Sequence, residues 1–428
     1  MKKMKQLLCV ILAGAMVLAA AGCAGGGKSA GGATAQETKT EVTGAGAAGV
    51  GAAEAGAAGT TEAGAAGEAA AQETAAPVAG AETAESSKTG THIIVDHLGF
   101  EVEVPYQVNR IAVGNILPLP SVLTVFFDSA EKIVGMSPNS MSAAKNGLLG
   151  ELYPEILNAQ TGYMNGTDIN LEELMKLEPD IVIYSASQPE QGEQLRSAGF
   201  AAVALSVNKW EYNAIETLNQ WISLLSEIFP DNDKTEVVKE HSDEIYKMVQ
   251  ERVADIPEEE RERVYFLFKY TDTSMETSGS KFFGQFWADA SGAVNVAEEI
   301  TTDNQVAANM EQVYAWNPTT IFITNFTAAQ PEDLYHNTIG NYDWSAIDAV
   351  KNEKVYKMPL GMYRSYTPGV DTPVTLLWFA KTTYPELFED IDIIQETKDY
   401  YKEVFGVELT DDQAASIFAP DAAAGAGF

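Results

Sequence analysis

The chain has 428 residues, with 61 acidic against 27 basic side chains and a formal net charge of −34. So acidic a surface disfavours nucleic acid, whose phosphates are neutralised by clustered Lys and Arg, and it serves solubility instead. Cys9 and Cys23 are the only cysteines, and His92, His97, His241 and His336 the only histidines, with no two at helical pair spacing. This excludes disulfides and thiolate metal sites from the folded part and makes a His-dependent catalytic triad hard to assemble.

At the amino end, Lys2, Lys3 and Lys5 precede an apolar run from Leu7 to Ala21. That run falls short of the ~20 residues of a membrane span and has the flanks of a secretory leader. It ends in Ala20-Ala21-Gly22-Cys23, small residues before a cysteine, the pattern of a bacterial lipoprotein cleavage site, with Ala20 where Leu is usual. The expectation is a leader over 1–22 and a lipid on Cys23, holding the mature chain at the outer face of the cytoplasmic membrane. The alternative is ordinary cleavage that releases a soluble protein. From Ala24 to Gly90 the sequence has no Leu, Ile, Met, Phe, Tyr or Trp. With nothing to bury, its ordering entropy is not offset, and the spacing predicts a tether with a coil reach of roughly 45 Å.

Folded sequence is expected from Thr91 to Pro420, with 421–428 a small-residue tail. That length exceeds what one core usually holds and predicts two lobes. A hairpin is predicted from His92–Val95, a turn at Asp96–Gly99 and Phe100–Val104. Short β-branched runs at Arg110–Val113, Lys132–Met136, Asp180–Tyr184 and Ala201–Leu205 alternate with helix-like segments, which argues for a parallel α/β lobe over 91–230. Ile215, Leu218, Ile222, Leu225 and Phe229 keep helical spacing. A long helix is then predicted within 231–257, bounded by Asp231-Asn232-Asp233 and Pro257. A second α/β lobe over 258–420 opens with Val264–Tyr270 and continues with strands at Thr319–Thr324 and Lys354–Met358.

The segment Gly162–Tyr184 (GYMNGTDINLEELMKLEPDIVIY) resembles the signature of ABC-importer binding proteins for iron-siderophores, haem and cobalamin. Collinear similarities follow at Asp96–Pro105, Asp128–Gly135, Gly292–Val296, Glu311–Thr319, Asp343–Tyr356, Leu376–Phe388 and Tyr400–Thr410. The resemblance implies two α/β lobes with central, mainly parallel sheets, joined by a single long rigid helix, with the ligand cleft between the lobes. It implies a non-enzymatic solute carrier, expected as a monomer, that captures an iron chelate of siderophore or haem type and delivers it to a permease dimer with its ATPase. Family alternatives are a corrinoid or a molybdate-type oxyanion; a surface lipoprotein that binds ligand without transport is a third. No resident cofactor or protein-held metal is expected, since the cleft loops offer few histidines.

The same resemblance assigns permease docking to Glu172 and Glu311, one exposed carboxylate per lobe. Each also lies in the first turn of a predicted helix, where the dipole alone favours a carboxylate. In an α/β lobe, ligands approach the carboxyl ends of the strands. There Lys209, Trp210 and Tyr212, and Tyr363, Arg364 and Tyr366, offer rings to stack on a ligand and cations to pair with its charge. Core packing is the competing role for the rings, and an ordinary surface or interlobe salt bridge for Arg364. Lys281-Phe282-Phe283 is a further cleft candidate.

Overall fold

The computed structural model describes residues 89–425. Strands β1 (Thr91–Val95) and β2 (Glu101–Pro105) form the expected antiparallel hairpin, with Ile94, Val102 and Val104 turned inward. Asp96 fastens it. One carboxylate oxygen accepts the Leu98 and Phe100 amides at 3.0 and 2.9 Å, and the other accepts the amide of Ala204 at 3.0 Å.

The first lobe continues through β3 (Ile111–Val113), α1 (Leu119–Phe127), β4 (Ile133–Gly135), α2 (Pro138–Asn146) and α3 (Leu148–Leu152). It is completed by the short pair β5 (Met164–Asn165) and β6 (Asp168–Ile169), then α4 (Leu171–Met175), β7 (Ile181–Ser185), α5 (Pro189–Ser197) and β8 (Ala202–Leu205). Its sheet is parallel throughout, in the order β4-β3-β7-β8. The strands are Ile- and Val-rich because both faces are covered by helices and loops, and β3, β7 and β8 are buried at every residue.

Helices α6 (Ala214–Ile228) and α7 (Thr235–Val253) carry the chain from the first sheet to the second. At 19 residues α7 is about 28 Å long, and it packs on α6 and on the later α12. The second sheet is built from β9 (Arg263–Tyr270), β10 (Met275–Ser278), β11 (Val294–Asn295), β12 (Gln305–Ala307), β13 (Thr320–Ile323) and β14 (Val355–Lys357). Between them lie α8 (Phe283–Ala290), α9 (Met310–Trp316), α10 (Pro331–His336) and α11 (Asp348–Lys351). Its order is β12-β10-β9-β13-β14, with β11 also on β9. The β9, β11, β13 and β14 pairings are parallel, whereas β10 and β12 add an antiparallel edge.

After β14 come α12 (Thr372–Thr383), α13 (Ile393–Tyr400), a wider helical turn at Tyr401–Phe405, and α14 (Asp411–Ile417). Although this stretch follows the second sheet, Val370, Val374, Tyr400, Tyr401, Val404, Phe405 and Ile417 share the first lobe's core with Ile111, Ile133 and Ile181. Beyond α14, residues 422–425 make one short turn whose Gly425 backs onto the Thr327 backbone.

Candidate ligand cleft and docking face

The loops that follow β8, β13 and β14 bring Tyr212, Phe326, Tyr363 and Tyr366 into one buried cluster. After β8 the chain turns sharply, with Glu211 and Tyr212 both left-handed at φ 52° and 60°. Such backbone is disfavoured for residues other than glycine and persists only where surroundings impose it. The turn drives the Tyr212 ring into the second lobe. It meets Phe282 and Phe283 edge-on at 5.5 and 5.1 Å, and its hydroxyl donates to Asn304 Oδ1 at 3.2 Å. Phe268, Phe326 and Tyr366 continue the wall, with Phe268 stacked on Phe326 at 4.8 Å and 5.7 Å from Tyr366.

Into this apolar wall the chain sets one guanidinium. Arg364 is 0% exposed, with its Cζ over the Phe326 ring at 5.1 Å and over Tyr363 at 5.7 Å. Its Nη1 lies 3.5 Å from the Tyr363 hydroxyl. Tyr363 and Tyr366 are buried with it. The loop bearing this trio is fixed at several points: Ser365 N donates to Pro359 O, Leu360 N to Ile417 O and Met362 N to Asp371 Oδ2. The Tyr401 hydroxyl donates to the other Asp371 oxygen, and Tyr400 donates to Val370 O at 2.9 Å. Burial lifts the Asp371 carboxyl to about 6, against the lowering effect of the Tyr401 and Met362 bonds. Beneath the neighbouring loop, Lys357 Nζ donates to Thr324 O, Thr327 O and Ala329 O at 3.0, 2.7 and 2.7 Å. Burial brings this lysine down to about 7, with Asp333 opposing and Arg364 adding to the shift. It thereby holds the loop that presents Phe326.

Of the residues expected in the cleft, Tyr212, Tyr363, Arg364 and Tyr366 come together, as do Phe282 and Phe283. Lys209 and Trp210 go elsewhere: Lys209 Nζ donates to His97 O at 3.0 Å, and Trp210 meets the His97 ring edge-on at 4.9 Å. The left-handed pair that follows them reverses the chain, so they remain with the amino-terminal hairpin. Lys281 is exposed. The sequence does not single out Phe326, Lys357 or Asp371; their signal is only their place, Lys357 as the last residue of β14 and Phe326 and Asp371 in the loops that follow β13 and β14. Among the described residues no cluster of three or more His, Cys, Asp or Glu side chains could hold a metal ion.

Glu172 and Glu311 are exposed, each at the second position of a short helix in its own lobe. Asn170 caps α4, accepting the Glu172 and Glu173 amides, and Asn309 caps α9 in a reciprocal box with Gln312. Cys23 and the tether as far as residue 88 lie outside the described residues, among which no helix is long and apolar enough to cross a membrane.

A family model described as periplasmic binding protein matches residues 130–360. The molybdate-binding protein MolA of Haemophilus influenzae is 27% identical over 353 residues, covering 77% of this chain and 95% of MolA. A solved periplasmic solute-binding protein from Veillonella parvula superposes with a TM-score of 0.68 at 27% identity, over 77% of this chain and 97% of that one. The molybdate-bound MolA structure gives 0.62 at 25% identity, over 74% and 99%. Helicobacter pylori CeuE in a nickel–histidine complex shares the fold at 0.62 and 21% identity, over 77% and 99%. The resemblance carried by Gly162–Tyr184 and its collinear companions therefore holds, and with it the two-lobed α/β fold. The chain belongs to the periplasmic binding protein family, the solute-binding, non-enzymatic components of ABC importers.

Proposed function

We propose that this chain carries a compact anion of the molybdate type to its importer, held at the membrane through a lipid on Cys23 and docking through Glu172 and Glu311. The observation that carries the reading is Arg364, a guanidinium withdrawn from solvent at the lobe seam and set on a loop braced from both sides. Burial strengthens any contact this cation makes with a charge, and its planar fork suits an oxyanion. MolA, similar over almost its whole length, supplies the independent support. Ring-to-ring contact between Tyr212 and Phe282–Phe283 also favours a small ligand, since a large one requires these contacts to part.

The second reading is the iron chelate that the sequence led us to expect, favoured by the aromatic wall of Tyr212, Phe282, Phe326 and Tyr366, which suits a flat or catecholate ligand. One titration panel separates the two. The delipidated protein is challenged with molybdate, tungstate, sulfate, ferric catecholate, ferric hydroxamate, haem and cobalamin, read by tryptophan fluorescence and calorimetry. Molybdate or tungstate is expected to bind, with Arg364→Gln weakening binding about a hundredfold and Arg364→Lys recovering part of it. Binding confined to the ferric chelates or haem transfers the function to the second reading. A panel with no ligand tighter than about 10 μM removes both.

A further inference from the structure

The two lobes carry the same local construction in the same register. In the first, Asn170 caps α4, Glu172 follows two positions later, Met175 five, Glu178 eight and Pro179 nine, before β7 begins. In the second, Asn309 caps α9, and Glu311, Tyr314, Asn317 and Pro318 stand at the same offsets before β13. Glu178 and Asn317 are both left-handed, at φ 45° and 38°. Each left-handed residue stands directly before the proline and feeds the strand at the same offset, although α4 ends at Met175 and α9 runs on to Trp316. Burial follows the register too, with Leu174 and Val313 at 0% exposure anchoring their helices to the cores.

Against that common frame two side chains break the usual rule. Met175 is 50% and Tyr314 42% exposed, two of the few large apolar side chains that face solvent among the described residues. Each lies three positions after its glutamate, hence on the same helix face. Among the described residues neither Glu172 nor Glu311 forms an ion pair, whereas Glu173 next to Glu172 pairs with Lys176 at 2.6 Å. The Tyr314 hydroxyl donates to Asp343 O at 2.6 Å, which holds its ring in place before any partner arrives.

We propose that Met175 and Tyr314 are the apolar contacts of the permease-docking surface, each shielding the ion pair that its neighbouring glutamate makes with a basic permease residue. The proposal rests on the docking role of Glu172 and Glu311. The occupant is the permease dimer because the surface is duplicated: two equivalent carboxylate–apolar pairs, one per lobe, match two equivalent permease subunits, and unpaired acids call for basic partners. A carboxylate–cation pair left in full contact with water contributes little. Flanking apolar side chains that expel water on contact change that, as at the rims of interface hot spots. Met adapts to an irregular surface, and Tyr is enriched at interfaces.

The test measures docking of the full chain to its cognate permease–ATPase complex in nanodiscs by biolayer interferometry, without added ligand and with molybdate, across a salt series. Met175→Ser and Tyr314→Ser are each expected to weaken docking about tenfold, and together about a hundredfold, chiefly through faster dissociation. Their salt dependence should match the parent's, because no charge is removed. Glu172→Lys and Glu311→Lys should instead abolish docking or flatten its salt dependence. Tyr314→Phe keeps the ring and loses only the bond to Asp343, so it should stay near the parent. A double serine variant that docks within about twofold of the parent, while charge reversal still destroys docking, overturns the proposal and leaves the glutamate face standing. Unchanged docking on charge reversal overturns both.

Discussion

Asp371 ties the Arg364 loop to the far end of the chain, and its protonation should be felt in stability. Its carboxyl sits at about 6 in the folded protein against an ordinary 3.8, because it is fully buried. The folded state therefore holds the proton more tightly than the unfolded state. The group's stabilising contribution is fully present at and below the unfolded value and is lost as pH rises through about 6. The expected loss is at most roughly 3 kcal/mol between about pH 4 and 7. Urea unfolding at stepped pH should show this decline in the parent and a shallower one in Asp371→Asn; parallel slopes would count against the assignment. Arg364 was legible in the sequence because arginine is scarce in so acidic a chain and this one stands among tyrosines in a cleft loop. Asp371 was not. Its partners, Met362 and Tyr401, lie in a tight loop and 30 residues downstream, and no periodicity reports a bond of that kind.

Among the elements, α5 on β7 shows how closely the helices approach the first sheet. A Cβ on Gly192 would lie 2.1 Å from the Tyr184 hydroxyl, and Tyr184 is fully buried and cannot give way. Gly192→Ala should therefore displace α5 and destabilise the protein by about 1–3 kcal/mol, although alanine is the better helix former by about 1 kcal/mol. Thermal and urea unfolding check the sign, and a stabilised variant would show that the contact yields. The parallel strands were readable because strands buried on both faces are continuous Ile and Val runs between turn residues; the observed bounds fall within one or two residues of the expected ones. The antiparallel edge formed by β10 and β12 was not. Thr277 and Ser278 are buried polar residues, Gln305–Ala307 is a partly exposed run, and their pairing closes across a long irregular stretch.

For the molecule as a whole, the proposed lipid on Cys23 decides where the carrier works. Cys23→Ser should move the protein from the membrane fraction to the soluble fraction and abolish labelling by a radiolabelled fatty acid, with ligand binding by the folded part unchanged. Retention of both label and membrane association by the variant would remove Cys23 as the anchor. The lobe order was legible because composition and periodicity shift along the chain. The return of its last elements into the first lobe was not, since local pattern says that Tyr400, Tyr401 and Phe405 are buried but not where. That return has a kinetic consequence. A chain made or exported amino end first releases β3, β4, β7 and β8 long before Tyr400–Ile417 can seal the core around them. Contacts so distant in sequence form late and slow the search. The first half to emerge is thus the last to be secure, and until the final turns arrive its Ile- and Val-rich strands stay open to aggregation and to proteases.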